Sequence, residues 1–539
     1  MSEASHASAE NGAEPRRDEH VQVAKGAGLT GIGAVVEGLL RYVSMLLVTS
    51  QYGRAAYGVF GFVMTVNELG QRASSAGLHD GVMRHVAVHQ SRGEIEQTRG
   101  AILFAGKIIL GIGFAYALGL WFMADLVADK LPEEKAGDVP RDMVIDLVRI
   151  SCFALPTTAL LMLFGRTLRA LKLIGQQVVV RSFVQPLSRV LLILAFLALW
   201  GRADLDGLAW AIVLSAAIAA ALGLWYVHRQ VGIVGKVEST IDKREFMRYA
   251  LPLVGVDIVV FFSLSADIFL LTYLRGGEAQ PGVDVQGDLG TYMAVRRLLP
   301  ILGMPLYLFS SLLTPLSAQL YGQGRMDDLR QLYRTSVRWI FAISLPFAIT
   351  GFLWATPILG HLGEGFETGA TAFMLLAFTL IINGFANPAG YAVTMAGHSR
   401  LTLLNAIASL IAIVSIGYWL IPEHGVFGAA TAFAGSLLVN CLLTLFQGWK
   451  ILGLNPLHGA LVKPLIAGSI GGLAAWGMLD MGWLPLSMPG ALLGGVFISA
   501  IYAAALGVLG LDQQDKDVLL AGSKPFHGLA RKIGGRLGR

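Results

Sequence analysis

The sequence predicts an all-α polytopic membrane protein of about fourteen transmembrane helices, arranged as two six-helix lobes with pseudo-twofold symmetry around a central cavity, plus a C-terminal helix pair. Three observations predict it. The 539 residues are 55% hydrophobic and only 14% charged, with a mean hydropathy of +0.62; soluble domains carry about 25% charged residues. Apolar stretches near the ~20 residues that span a bilayer recur along the chain. A pattern in the first half reappears in the second.

The apolar spans run over 28–49, 57–80, 101–127, 144–165, 178–200, 206–228, 247–274, 289–320, 336–360, 369–396, 400–421, 425–448, 459–480 and 488–510. The breaks between them are weakest at 50–56, 397–399 and 422–424. Residues 1–27 are polar, lack the layout of a signal peptide, and are expected to be a disordered cytoplasmic N-terminus. Residues 28–235 form the N-lobe with spans 1–6, 236–456 the C-lobe with spans 7–12, 457–510 the final pair, and 511–539 a basic cytoplasmic tail. Cys152 and Cys441 both fall in apolar spans, so no disulfide framework is readable.

Loop charges set the orientation. The set of alternate loops that excludes both termini carries only Arg54, Lys130, Lys135, Arg141, Arg202 and Arg275. Most of the 41 Lys and Arg residues lie on the other side, which the positive-inside rule makes cytoplasmic. Both termini are therefore expected in the cytoplasm, in a multi-pass protein of the cell inner membrane. The basic tail suits anionic lipid headgroups rather than nucleic acid.

The repeat is visible in short runs. Tyr57-Gly58-Val59-Phe60 opens the second span and Leu289-Gly290-Thr291-Tyr292 the eighth. The following loops also match, Gly93-Glu94-Ile95-Glu96-Gln97-Thr98-Arg99 with Gly324-Arg325-Met326-Asp327-Asp328-Leu329-Arg330. Gly207-Leu208-Ala209 parallels Gly425-Val426-Phe427. An even number of helices per copy gives a parallel repeat with a cleft between halves. The last two spans carry Gly468-x-x-x-Gly472 and Gly490-x-x-x-Gly494, which permit close helix contact.

Charges at membrane depth mark the candidate site. An arginine at the centre of a bilayer costs about 2.5–3.5 kcal/mol on insertion scales. Arg296 and Arg297 are adjacent inside the eighth span, and Pro300 and Pro305 each remove a helix hydrogen bond close by. Arg41 lies near the middle of span 1, one turn after Glu37; the bland alternative is a self-neutralising i,i+4 pair. Arg72 in span 2 either snorkels or lines the cleft. Asp257 and Asp267 lie on span 7. Acids and bases thus gather on the first two helices of each repeat. Arg41, Arg72, Arg296 and Arg297 are the expected substrate-binding residues. Glu37, Asp257 and Asp267 are the expected charge-balancing or coupling residues, for a proton or sodium ion. Lys107, Arg149 and Arg181 lie close enough to span ends to snorkel, and Arg189 reads as a structural contact within the first bundle.

Signals for catalysis are weak. Gly26, Gly28 and Gly31 match a dinucleotide fingerprint by letters, but no strand precedes them. His85 and His89 lack a third metal ligand. No metal, cofactor or nucleotide-binding loop is expected, and the short outer loops leave no room for a catalytic domain.

The run TSQYGRAAYGVFGFVMTVNELGQRASSAGLHDGVMRHVA resembles the start of Wzx-type polysaccharide flippases, through Tyr57-Gly58, Gly77-Leu78 and Arg84. The eighth span is similar too, at Gly290, Tyr292, Arg297 and Pro315, followed by Gly324 and Asp327. The likeness covers about residues 28–510 and rests on order and spacing. It places the chain in the multidrug/oligosaccharidyl-lipid/polysaccharide exporter (MOP) superfamily. The resemblance implies a non-enzymatic flippase for a polyprenyl-diphosphate-linked oligosaccharide, working by alternating access with other polysaccharide-assembly proteins. The alternative it leaves open is a MATE-like cation-coupled drug exporter. A membrane polymerase or ligase is a third reading, disfavoured by the short outer loops.

Overall fold

The computed structural model describes residues 14–75, 77–133, 135, 137–200, 205–233, 243–276, 282–303, 313, 316–455 and 461–509. The chain is all-α over these residues. Its helices are α1 (Glu14–Ser75), α2 (Leu78–Ser91), α3 (Ile95–Phe122), α4 (Ala124–Ala128), α5 (Arg141–Ser151) and α6 (Ala154–Ala170). After these come α7 (Ile174–Val178), a π-helical turn (Val179–Val184), α8 (Gln185–Trp200), α9 (Asp206–Val231), α10 (Lys243–Arg275) and α11 (Val285–Leu302). The remainder is α12 (Met326–Leu353), α13 (Ala355–Gly360), α14 (Ala370–Met395), α15 (Ser399–Leu452), α16 (Val462–Asp480) and α17 (Met488–Val508). Pro305, Pro315 and the tail from 511 lie outside the described residues.

Eleven helical stretches among the described residues are long and apolar enough to cross a membrane. Two of them are long enough to cross twice. Leu29–Ser75 and Ser399–Leu452 have 47 and 54 residues, against the ~20 that one crossing needs. Each is bent at a glycine. Gly53 has φ 82° and ψ −175°, with open space where a Cβ would stand, so glycine is required there by dihedral alone. Gly425 has φ 49°, and Pro422 weakens the helix just before it. The two weak sequence breaks at 50–56 and 422–424 are therefore bends, with helix continuing on either side. The third, at 397–399, is a true break, with Gly397 at φ 91°. At the N-terminus α1 runs from Glu14.

Where the apolar cores lie decides the shape. One cluster is shared by both halves. It joins Met45, Tyr57 and Phe62 of α1 with Leu289, Tyr292 and Leu298 of α11 and Phe433 of α15. It lies at the far end, where α1 bends. At the near end, where α1 begins, the cores are separate. One gathers Leu78, Val82, Ile102, Leu163 and Val227, and is capped by Phe246. The other gathers Leu329, Tyr333, Phe341, Val393 and Leu452. The first of these takes in Phe246 of α10, so the halves also touch at the near end.

The C-terminal pair packs on one half. A Cβ at Gly472 would stand 3.3 Å from Ile349 of α12, and one at Gly468 would collide with Leu345. Gly494 lies under the buried Trp354 indole, whose Nε1 donates to Pro485 O at 3.1 Å. These small residues admit α12 and its neighbouring turn, with Ile498 facing Gly471 between the two final helices.

Candidate functional site: an arginine cluster between the halves

The adjacent arginines of α11 have different fates. Arg296 is held from three sides. Its Nη1 meets Asp267 Oδ2 at 2.5 Å, its Nη2 donates to Leu264 O at 2.6 Å, and its guanidinium lies 3.6 Å from the Phe433 ring centroid. Tyr292, one turn earlier, donates its hydroxyl to the same Asp267 oxygen. Asp267 is fully buried, and its Oδ1 has no hydrogen-bond partner. An ion pair this deep persists only with added hydrogen bonds and fitting geometry. It locks α10, α11 and α15 together. Pro300 leaves the Arg296 carbonyl without its helix donor, so α11 is weakened next to this lock.

Arg297 points elsewhere. It is exposed, and among the described residues it makes no hydrogen bond or ion pair. It lies within electrostatic range of Tyr57 on α1 and Arg189 on α8, both in the first half of the chain. Its charge therefore acts on residues of the first half.

Arg41 meets Glu37 Oε1 at 2.6 Å, with its side chain 55% exposed. The other Glu37 oxygen accepts from Ser182 Oγ at 3.0 Å, tying α1 to the π turn. Arg72 meets Glu68 Oε1 at 3.0 Å and lies 5.5 Å from the Phe261 ring centroid of α10. Asp257 is half-buried on α10. Three of the four expected binding arginines are thus paired with carboxylates, and Arg297 stands free among the described residues. Glu68, four residues before Arg72, is readable as its partner from spacing alone. Sequence reasoning misses Arg189: it lies within electrostatic range of Arg41, Arg297 and Glu37, and its Nε is buried without a partner.

The far end is latched. Arg54, just past the Gly53 bend, forms an ion pair with Asp284 and donates to Gly365 O at 3.2 Å. Asp284 also caps α11, accepting from Gly287 N at 2.6 Å. Lys135 Nζ adds a contact to Asp284 at 3.9 Å, and Arg275 meets Asp288 at 3.3 Å. The buried Gln286 side chain donates to Leu131 O at 3.0 Å and Val139 O at 3.1 Å, and accepts from Val139 N at 2.7 Å. Beneath these bonds, a Cβ on Gly58 would lie 2.5 Å from Gly290 N and collide with Gln286 O. A Cβ on Gly290 would collide with Arg54 O. The helices meet backbone to backbone, so this end is shut.

Comparison with known proteins places this arrangement. The model of the family described as "Polysaccharide biosynthesis protein" matches residues 23–321, more than half of the chain, and the MatE model matches residues 283–419. Among curated proteins no sequence relative matches. Several solved structures share the fold. One is the lipid II flippase MurJ in an inward closed conformation, at a TM-score of 0.68 and 10% identity over 90% of this chain and 98% of that one. Another is an inward-facing multidrug resistance MATE family transporter of the MOP superfamily, at 0.66 and 15% identity over 78% of this chain and 98% of that one. A third is a MOP superfamily transporter from Pyrococcus furiosus with a binding pocket of reverse polarity, at 0.59 and 16% identity over 80% of this chain and 95% of that one. With a fold shared with these structures and a family model spanning more than half its length, the chain is a multi-pass membrane protein that belongs to the polysaccharide biosynthesis protein family.

Proposed function

We propose that the protein moves a polyprenyl-diphosphate-linked oligosaccharide from the cytoplasmic to the outer leaflet of the inner membrane, by alternating access, for cell-surface polysaccharide export. The observation that carries this reading is that Arg297, with no hydrogen bond or ion pair among the described residues, lies within electrostatic range of Arg189, which is itself in range of Arg41. Guanidinium groups bind phosphate oxygens bidentately. Glu37 is the carboxylate in range of Arg189, so the space has a cationic character suited to a diphosphate. The sugar would occupy the cleft while the lipid tail stays in the bilayer.

In this reading Arg297 and Arg41 receive the diphosphate. Arg72, paired with Glu68, lies further along α1. Arg296 is the lock that holds α11 in place, and it reaches the substrate only if its bond to Asp267 opens. With both termini cytoplasmic, this reading makes the latched far end the outer face and the cleft open to the inside. An empty cationic cavity is drawn toward a negative cytoplasm, by about 2.3 kcal/mol per charge through 100 mV. Bound diphosphate cancels that bias and permits outward opening.

The test is flipping of a fluorescent polyprenyl-diphosphate saccharide in proteoliposomes. Arg297→Ala is expected to abolish it while the protein inserts and purifies normally. Full transport by that variant would refute the role.

A second reading, a cation-coupled exporter, is supported by the MatE match and by the unpartnered Asp267 oxygen, a place for a coupling proton or sodium ion. A cationic cluster disfavours drug cations. Drug resistance conferred by the protein, without polysaccharide complementation, would establish the second reading over the first.

A further inference from the structure

Between α7 and α8 the chain winds through one π turn, Val179–Val184. Such turns are rare within α-helices and frequent at functional sites. Arg181 stands inside it and Arg189 eight residues later. In a regular α-helix, at about 100° per residue, eight steps leave two side chains about 80° apart. A π turn is wound more loosely, and the part of it that follows Arg181 takes up some of that angle. Arg181 and Arg189 are thereby brought closer to one side, about two turns apart.

That side is turned toward α1. Ser182 in the π turn holds Glu37, and Gly33 leaves room for the turn: a Cβ there would lie 2.5 Å from Val178 Cγ1 and 3.3 Å from Ser182. Both arginines fall within electrostatic range of Arg41 and Glu37. Arg181 is also in range of Arg166 and Arg169 at the near end of α6, and Arg189 of Arg297. Neither Arg181 nor Arg189 has a hydrogen bond or ion pair among the described residues. Two half-buried, unpaired cations in an apolar helix are unfavourable unless something anionic meets them. Snorkelling does not account for the π turn.

We propose that Arg181 and Arg189 form an intake site for the diphosphate of an anionic lipid, between Arg166 and Arg169 at the near end and Arg41 and Arg297 between the halves. The π turn sets its register. The proposal rests on reading the protein as a carrier of diphosphate-linked lipid.

The test is equilibrium binding of geranylgeranyl diphosphate to the purified full chain, with geranylgeraniol as the tail-only control. Arg181→Gln and Arg189→Gln are expected to weaken binding of the diphosphate about tenfold each, in the range of one hydrogen bond to a charged group. Alcohol binding and thermal stability should hold, since neither side chain has a protein partner to lose. Arg189→Lys should restore part of the affinity. Variants that bind like wild type, while Arg297→Gln binds weakly, overturn the intake site and leave the flippase reading intact. Weakened binding accompanied by a fall in thermal stability without ligand means a structural role, and also overturns it. A wild-type chain that binds the diphosphate no better than the alcohol overturns both readings.

Discussion

Asp284→Asn should unlatch the far end. The substitution removes the charge that Arg54 meets, yet asparagine still caps α11 at Gly287 N. The two side chains are 25% and 12% exposed, so the pair is neither bare to solvent nor fully desolvated. Breaking a buried pair costs about 3–5 kcal/mol and an exposed one about 0–1 kcal/mol. Partial burial, with the Arg54 bond to Gly365 O retained, puts the loss near 2 kcal/mol, or about a thirtyfold rise in the open population. The reporter is Thr291→Cys, at a position fully buried one turn below the latch. The background replaces the two free, buried cysteines, Cys152 and Cys441, with alanine. A membrane-impermeant maleimide added on the side of the latch should label the introduced thiol on the order of thirtyfold faster in the Asp284→Asn protein. Equal labelling rates in the two proteins would refute the latch, and with it the view that these ions hold that end shut.

Gly290→Ala should prop the same end apart, because its Cβ would collide with the Arg54 carbonyl; faster labelling of the same reporter thiol would register it. Asp267→Asn leaves Arg296 without its counter-ion in a site where the aspartate is fully buried, and should lower folding stability by about 3 kcal/mol or more, read as a drop in thermal midpoint. Arg297→Ala, by contrast, should change stability by no more than ~0.5 kcal/mol and leave that midpoint nearly in place, since the side chain has no partner among the described residues. Gly494→Ala drives a methyl into the Trp354 indole and should lower the midpoint unless that ring moves.

Much of this is legible in the sequence, for physical reasons that differ by residue. The spans follow from hydropathy, since a bilayer demands length and apolarity of each segment. The Glu37–Arg41 pair is local, and helical spacing alone sets it. The Arg296–Asp267 lock joins two spans, so the sequence shows both charges without showing that they meet. Arg54 and Asp284 sit in loops by hydropathy, where charge carries no signal of depth or partner. Arg189 reads as a bundle contact because a π turn leaves no reliable trace in composition. The bends at Gly53 and Gly425 blur two boundaries because helix continues on both sides of each.

Gly58 and Gly290 occupy matching places in the internal repeat, and they meet each other. A contact without side chains has no rotamers to reset and no knobs to withdraw. The helices can roll or part there with little repacking, like two smooth rods crossing. The difficulty of opening is then set by the ions and the Gln286 plug around the crossing, so the pace of opening can be tuned at the rim while the pivot is left alone.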